Sequence, residues 1–323
     1  MTTTATLATT PVPKEPASTP KAEAVTDLGA VAAAATTTPA VKASAAAAMP
    51  PTPTAKRRPA WLDTLGDYAA KILPPVVTVA LLLGIWELAS SQAGASLPPP
   101  SKVVADTKDL ILDPFFNNGG NDVGMAWQLL ASLERVLYGY SIAVVVGISL
   151  GVLVGQFAIA MRGLDPVFQV LRTVPPLAWL PIALAGFRDG NPSAIFVIFI
   201  TAVWPIIINT SIGIRNIPND YRNVARVVQL NGVEYFWKIM MPAAAPYIFS
   251  GLRIGVGLSW LAIVAAEMLI GGVGVGFFIW DAWNSSRISD IVLALFYVGL
   301  VGFALDRIVS WIGRLVARGS SVS

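Results

Sequence analysis

The sequence predicts an all-α membrane protein with six transmembrane helices. Three observations predict it. The 323 residues are 55% hydrophobic and only 13% charged, a balance that leaves long apolar runs insoluble outside lipid. Those runs fall at about 72–91, 131–160, 164–187, 193–214, 246–270 and 290–309. At about 1.5 Å per residue, each reaches most or all of the way across a hydrocarbon core of roughly 30 Å. The basic residues then sort to one side. With both termini inside, eleven Lys and Arg flank the spans on the cytoplasmic face and four, Lys102, Lys108, Arg188 and Arg287, lie outside, as the positive-inside rule requires.

Composition also excludes chemistry. The chain has no cysteine and no histidine, so disulfides, thiolate nucleophiles, imidazole metal sites and Ser-His triads are ruled out. The net charge of +3 belongs to the first sixty residues, which hold six Lys/Arg and three Asp/Glu. The remainder is neutral and offers no basic face for nucleic acid. No metal or cofactor is expected on this chain, and no Walker A motif is present for hydrolysing ATP.

Taken in order, residues 1–58 are Ala, Thr and Pro with scattered charges. Such a segment buries no core and is expected to be a disordered cytoplasmic tail; it lacks the apolar region of a secretory signal. Residues 59–323 form the membrane domain. Lys56-Arg57-Arg58 mark the inner edge of the first span, 72–91, with Pro74 and Pro75 expected at its helix N-terminus. Glu87 falls near its outer end. Residues 92–125 lie outside, with a stiff proline turn at 97–101 and Ser101 as helix N-cap. An outer helix follows, its apolar face made by Val103, Val104, Leu110 and Leu112, and then a loop at 117–121.

The span at 131–160 carries Gly139, Gly147, Gly151 and Gly155 on one face, small residues that let helices approach closely in lipid. Arg135 sits at its outer end. The span at 164–187 is expected to be interrupted at Pro175-Pro176 and Pro181, which is tolerated only against protein or water. Arg172, in its inner half, is a functional candidate by default; the structural alternative is snorkelling or pairing with Asp165. The span at 193–214 has Trp204 and Pro205 at its middle and Asn209 toward the inside. These line a path in a transporter, or bond to neighbouring helices in a plain bundle.

Within 246–270, Arg253 lies near the inner end and Glu267 near the outer end. They are about 21 Å apart along the axis, so Glu267 needs another partner, such as Arg135. A carboxylate is a poor ligand for an anion, so Glu267 is expected to hold the fold or a gate. The glycine run at 271–276 lacks the Lys-Ser/Thr and preceding strand of a phosphate loop. It is expected to be a flexible outer connection into an aromatic belt at 277–280. Arg307, Arg314 and Arg318 close the last span on the inside.

Between the fourth and fifth spans lies a polar island with helical patterning over about 221–237. Val224, Val227, Val228 and Leu230 stand beside Arg222, Arg226 and Gln229. On physical grounds such a helix docks a cytoplasmic partner, or it lies solvated at the membrane surface. Asn223-Val224-Ala225, with Ile239, Met241 and Pro242 downstream, resembles the EAA loop of ABC-importer permeases. That loop runs Glu-Ala-Ala, three residues, Gly, nine residues, Ile-x-Leu-Pro. Asn223 replaces the acid and Gln229 replaces the glycine, so the helix is expected to run longer or end later. The block 245–269 resembles permeases for nitrate, bicarbonate, sulfonates and taurine. The block 271–286 resembles the nitrate/bicarbonate branch.

The resemblance, which covers about residue 74 to the C-terminus, implies a type I ABC-importer permease fold. It implies a pair of permease subunits, two cytoplasmic ATPase subunits that bind ATP and Mg, a periplasmic substrate-binding protein, and a multi-pass place in a bacterial inner membrane. It implies that Arg222, Ala225, Arg226, Val228, Gln229, Leu230, Asn231, Gly232 and Glu234 couple the ATPase to the membrane helices. Donors suited to a planar anion, Arg172, Trp204, Asn209 and Trp260, are the candidate substrate path. Nitrate is the expected cargo, with bicarbonate, then sulfonate or taurine, then a six-span secondary carrier as alternatives.

Overall fold

A computed structural model describes the backbone of residues 60–92 and 94–320 and the side chains of 70–92 and 94–316. The tail at 1–58 and the triplet Lys56-Arg57-Arg58 lie outside the described residues. In chain order the helices are α1 (Ala60–Ser90), α2 (Pro100–Asp106), α3 (Lys108–Leu112), α4 (Met125–Gln156), α5 (Ala158–Leu171), α6 (Leu180–Phe187), α7 (Gly190–Arg215), α8 (Asn219–Val227), α9 (Gly232–Tyr235), α10 (Met241–Ile270), α11 (Val275–Asn284) and α12 (Ile288–Ser320). A 3-10 turn, Pro176–Trp179, precedes α6, and a π-helical turn, Phe236–Met240, joins α9 to α10. The one bridge of β type among the described residues pairs Asn117 with Val123, so the predicted all-α class holds.

Among the described residues, five helical segments are long and apolar enough to cross a membrane: Ala70–Ser90, Met125–Gln156, Gly190–Arg215, Gly232–Ile270 and Ile288–Val316. The sixth predicted span is the pair Ala158–Leu171 and Pro176–Phe187, bent by 93°. Pro175 is extended at φ −55°, ψ 133°, because the following proline disfavours helical backbone before it. Pro181 breaks nothing. It sits in the first turn of α6, where a missing N–H costs little. The boundary between the second and third spans also shifts. Phe157 is extended at φ −111°, ψ 115°, so 158–160 belong to α5.

Two further expectations, at the start of the first span and after its end, change. Pro74 and Pro75 lie inside α1, which starts at Ala60. Pro99, not Ser101, occupies the N-cap of α2. Ser101 instead gives its backbone N–H (3.1 Å) and its hydroxyl (2.6 Å) to the Glu87 carboxylate. A remote anion thus caps the helix and complements its positive end. The outer helix is split at Thr107, whose side chain bonds back to Val103 at 2.8 Å.

The core is a sandwich with α7 between α4 and α10. Backbones come close because glycines face α7 from both sides. A Cβ on Gly139 would lie 2.7 Å from the Ile195 carbonyl, and one on Gly151 2.5 Å from Thr210 Cβ. From the other side, a Cβ on Gly251 would meet the Pro205 carbonyl at 2.9 Å. The glycine face read from 131–160 therefore does what its spacing predicts. Ile198, Ile206, Ile207 and Ile214 of α7 are fully or almost fully buried. α12 packs on α10 through Trp260, whose indole N–H donates to the Val298 carbonyl at 2.8 Å. From residue 70 to residue 85, α1 is exposed throughout, so its apolar surface is left for lipid or another chain.

Candidate functional site

The segment after α7 is two short helices around a sharp turn. α8 is nine residues long and carries Asp220 in its first turn and Arg226 in its last, the placement that complements a helix dipole. Its end is a Schellman turn. Leu230 N–H bonds to the Ala225 carbonyl at 3.0 Å and Gln229 N–H to the Arg226 carbonyl at 3.1 Å, satisfying carbonyls the helix leaves open. Gln229 takes the left-handed conformation at φ 54°, the one usually given to glycine.

This corrects the expected single helix over 221–237. The turn is retained, and Gln229 adopts the backbone shape that the glycine of the resembling motif would have. A side chain there costs about 1 kcal/mol. Gln229→Gly is therefore expected to raise apparent Tm slightly and leave uptake intact, whereas Gln229→Val, β-branched at positive φ, should lower both. Thermal unfolding of the purified assembly beside an uptake assay checks the pair.

The chain restarts with a capping box. Asn231 Oδ1 accepts from Glu234 N–H at 2.8 Å, Glu234 Oε2 accepts from Asn231 N–H at 3.2 Å, and Lys238 Nζ pairs with Glu234 Oε1 at 2.9 Å. Gly232 opens α9, and the π-turn then carries the chain into α10. Asn231, Gly232 and Glu234 thus set the direction in which the chain runs into α10.

α8 has two faces. Tyr221, Val224, Val227 and Val228 are exposed, Val227 to 83%. Residues 221, 224 and 228 follow helical spacing along one side; Tyr221 and Val224 line an open cleft of about 870 Å³ against α10, while Val227 and Val228 are outside it. On the other side Ala225 is buried at 7% exposure. There Arg222, Ala225, Arg226, Gln229 and Tyr235 line a cleft of about 550 Å³ against Gln156 at the C-terminal end of α4. Of the residues expected to couple, Val228 faces outward, while Arg222, Ala225, Arg226, Gln229 and Leu230 line the cleft toward the chain's own body. Tyr221 and Trp237 are exposed aromatics beside the valines that sequence reasoning passed over. Tyr221 lies three residues before Val224, a spacing that could have found it.

The candidate path residues do not converge. Trp204 packs on Phe168 of α5 at 5.6 Å, one helical turn from Arg172. Arg172 is exposed at the end of α5, and Asp165 bonds to Gln169 instead. Asn209 donates to the Pro205 carbonyl at 2.8 Å. Trp260 is buried between α10 and α12 in a separate cluster.

Glu267 and Arg135 do meet, at 2.6 Å, and the glycine run is built around them. Glu267 is fully buried. Its Oε2 accepts from Ser132 Oγ (2.8 Å) and from Gly276 N–H (3.0 Å). Arg135 also bonds to the Val273 carbonyl (2.8 Å) and to Asn191 Oδ1 (2.7 Å). Gly274 N–H goes to Gln128 Oε1 at 2.6 Å, and Val275 N–H to Ser132 at 3.0 Å. The start of α11 is therefore an anion-binding helix terminus whose anion is internal. A Cβ on Gly274 would lie 2.5 Å from the Glu267 carboxyl carbon, and one on Gly276 2.0 Å from the Val264 carbonyl.

The expected flexible connection is thus a tied knot, and of the expected aromatic belt only Trp280 is exposed while Phe278 and Ile279 are core. Gln128 and Ser132 were missed, although 128, 132 and 135 form a polar stripe on an apolar helix at spacings of four and three.

A model of the family described as binding-protein-dependent transport system inner membrane component matches residues 143–321. The chain is 59% identical over 249 residues to the nitrate import permease protein NrtB of Synechocystis sp., covering 77% of this chain and 90% of the relative. It is 52% identical over 262 residues to the bicarbonate transport system permease protein CmpB of the same organism, covering 80% and 92%. Among solved structures, the MetNI methionine ABC transporter in an inward-facing conformation matches with a TM-score of 0.54 at 16% identity. That match covers 59% of this chain and 95% of the other, and speaks to fold alone.

Proposed function

The chain belongs to the binding-protein-dependent transport system inner membrane components, as an ABC permease of the nitrate/bicarbonate type, and from that premise we propose that it imports nitrate, with nitrite beside it. The observation that carries the choice of cargo is the higher identity to the nitrate permease, 59%, than to the bicarbonate permease, 52%. The proposed setting is a bacterial inner membrane with both termini cytoplasmic. Two copies of the chain work with two ATPase subunits inside and a substrate-binding protein outside. ATP and Mg belong to the ATPase subunits, and this chain holds no cofactor.

The coupling segment is the route by which ATP energy enters. The exposed valines of α8 seat in a cleft of the ATPase, and Ala225 with the arginine-lined cleft keeps α8 fixed to the end of α4. The capping box and π-turn pass its movement to α10, and the membrane helices alternate between inward- and outward-facing states. Arg172, Trp204 and Asn209 remain candidates for lining the path. Trp260, whose N–H is already taken, supports packing better than passage.

Uptake of labelled nitrate and labelled bicarbonate by cells lacking the gene, with and without its restoration, tests the cargo. Loss and rescue of nitrate uptake alone is the expected result. Loss and rescue of bicarbonate alone would keep the architecture and replace the cargo.

A further inference from the structure

α10 and α12 carry an ion pair where lipid would not tolerate it. Arg253 Nη2 donates to Asp306 Oδ2 at 2.8 Å and Nε donates to Oδ1, a two-bond fork. Arg253 lies twelve residues into α10, about 18 Å along its axis, and seventeen residues, about 25 Å, before the outer end. Asp306 sits eight residues, about 12 Å, outward of Arg314 on α12. The pair therefore lies in the inner half of the bilayer, with Arg307 next to Asp306. Yet its side chains are 56% and 33% exposed. Ionisable groups at that depth face water or protein rather than acyl chains. Arg253 does not escape by snorkelling, because the fork holds its guanidinium back against α12.

The surroundings point the same way. On α10, Ser250 is exposed and a Cβ on Gly257 would meet nothing within 4 Å. With Arg253 they form a small and polar stripe. The flanking exposed residues, Ile254, Leu258 and Leu261 on α10 and Leu295, Phe296, Leu300 and Phe303 on α12, are large and apolar, so the stripe is narrow. The fork uses only Nε and Nη2. Nη1 has no hydrogen-bond partner among the described residues, and it carries two N–H donors. Its orientation is fixed by the bonds to Asp306, and the carboxylate offsets most of the charge. Such a group holds a small oxyanion weakly and releases it readily, as conduction requires.

We propose that Arg253, oriented by Asp306, is a water-facing binding site for a small oxyanion in transit, on a stripe of α10 that also includes Ser250 and Gly257. This rests on the reading of the chain as an anion importer.

The chain has no cysteine, so Ser250→Cys places a single thiol one helical turn from Arg253. In opened membranes from uptake-competent cells, modification of this chain is followed by mass. The two probes are an anionic methanethiosulfonate sulfonate and its cationic trimethylammonium counterpart. Both should react, and the anionic reagent should gain roughly tenfold from Arg253 at short range. Adding Arg253→Gln should remove that preference, and Arg253→Gln alone should lower nitrate uptake roughly tenfold or more.

A thiol inert to both reagents in cells with normal uptake would overturn the proposal, since the pair would then be sealed in lipid or between copies. Wild-type uptake by Arg253→Gln would overturn it too. If Arg253→Gln fails to assemble, Arg253→Gln with Asp306→Asn keeps a neutral hydrogen-bonded pair. Normal uptake by that assembled variant counts against the site, and lost uptake supports it. If unaltered cells import neither nitrate nor bicarbonate, the importer reading fails by itself, while the reagent preference still reports on Arg253.

Discussion

Arg135→Ala is expected to destabilise the membrane domain by about 3–5 kcal/mol, the usual cost of leaving one member of a buried ion pair alone. Glu267 is fully buried and has no water to turn to. Its carboxylate would keep Ser132 and Gly276 N–H as donors but lose its counter-charge. Asn191 and the Val273 carbonyl would lose their donor in the same step. The damage should spread, because the knot joins α4, the start of α7, the C-terminal end of α10 and the start of α11.

Glu267→Gln should be milder than Glu267→Ala, since the amide oxygen can still accept from Gly276. Gly276→Ala should be as damaging as Arg135→Ala, because its Cβ would sit 2.0 Å from the Val264 carbonyl. The apparent Tm of the detergent-solubilised assembly orders these variants. A Glu267→Ala variant as stable as the unaltered protein would show that the knot is not a structural tie.

Val227→Asp is expected to abolish ATP-driven uptake without altering the fold. At 83% exposure Val227 contributes almost nothing to the chain's own packing, so the substituted chain should insert and melt normally. If its face is the one received by the ATPase, the new carboxylate must be desolvated without a partner. A central apolar contact of this kind is worth about 2 kcal/mol or more, which corresponds to roughly thirtyfold in affinity. Co-purification of the ATPase and stimulated ATP hydrolysis should fall together with uptake. Gly84→Ala on α1, a position with open space around it, is the control for a mild change within the membrane domain. Full uptake with Val227→Asp would move the docking surface away from α8.

Much of this was legible in the sequence for a simple reason. Hydrophobic runs of span length, glycines at helical spacing and the sidedness of Lys and Arg are local or one-dimensional signals, and each is set by the bilayer. They sufficed for the all-helical class, the five long crossings, the break at Pro175-Pro176 and the glycine face by which α4 takes a close neighbour. The amphipathic pattern likewise located α8, and the need of Glu267 for a counter-charge pointed to Arg135.

What tertiary structure alone decided are matters of orientation and of backbone shape. Periodicity shows that Ala225 and Val227 share a helix, but not which of them the body of the chain covers. Glycine spacing cannot reveal that 271–276 wraps a carboxylate supplied by the preceding helix. Gln229 in a left-handed turn runs against its own propensity, and only the surrounding hydrogen bonds impose it. Arg253 and Asp306 are fifty-three residues apart in the chain. Their pairing follows from the seam between α10 and α12, where facing side chains, not sequence neighbours, determine which charges meet.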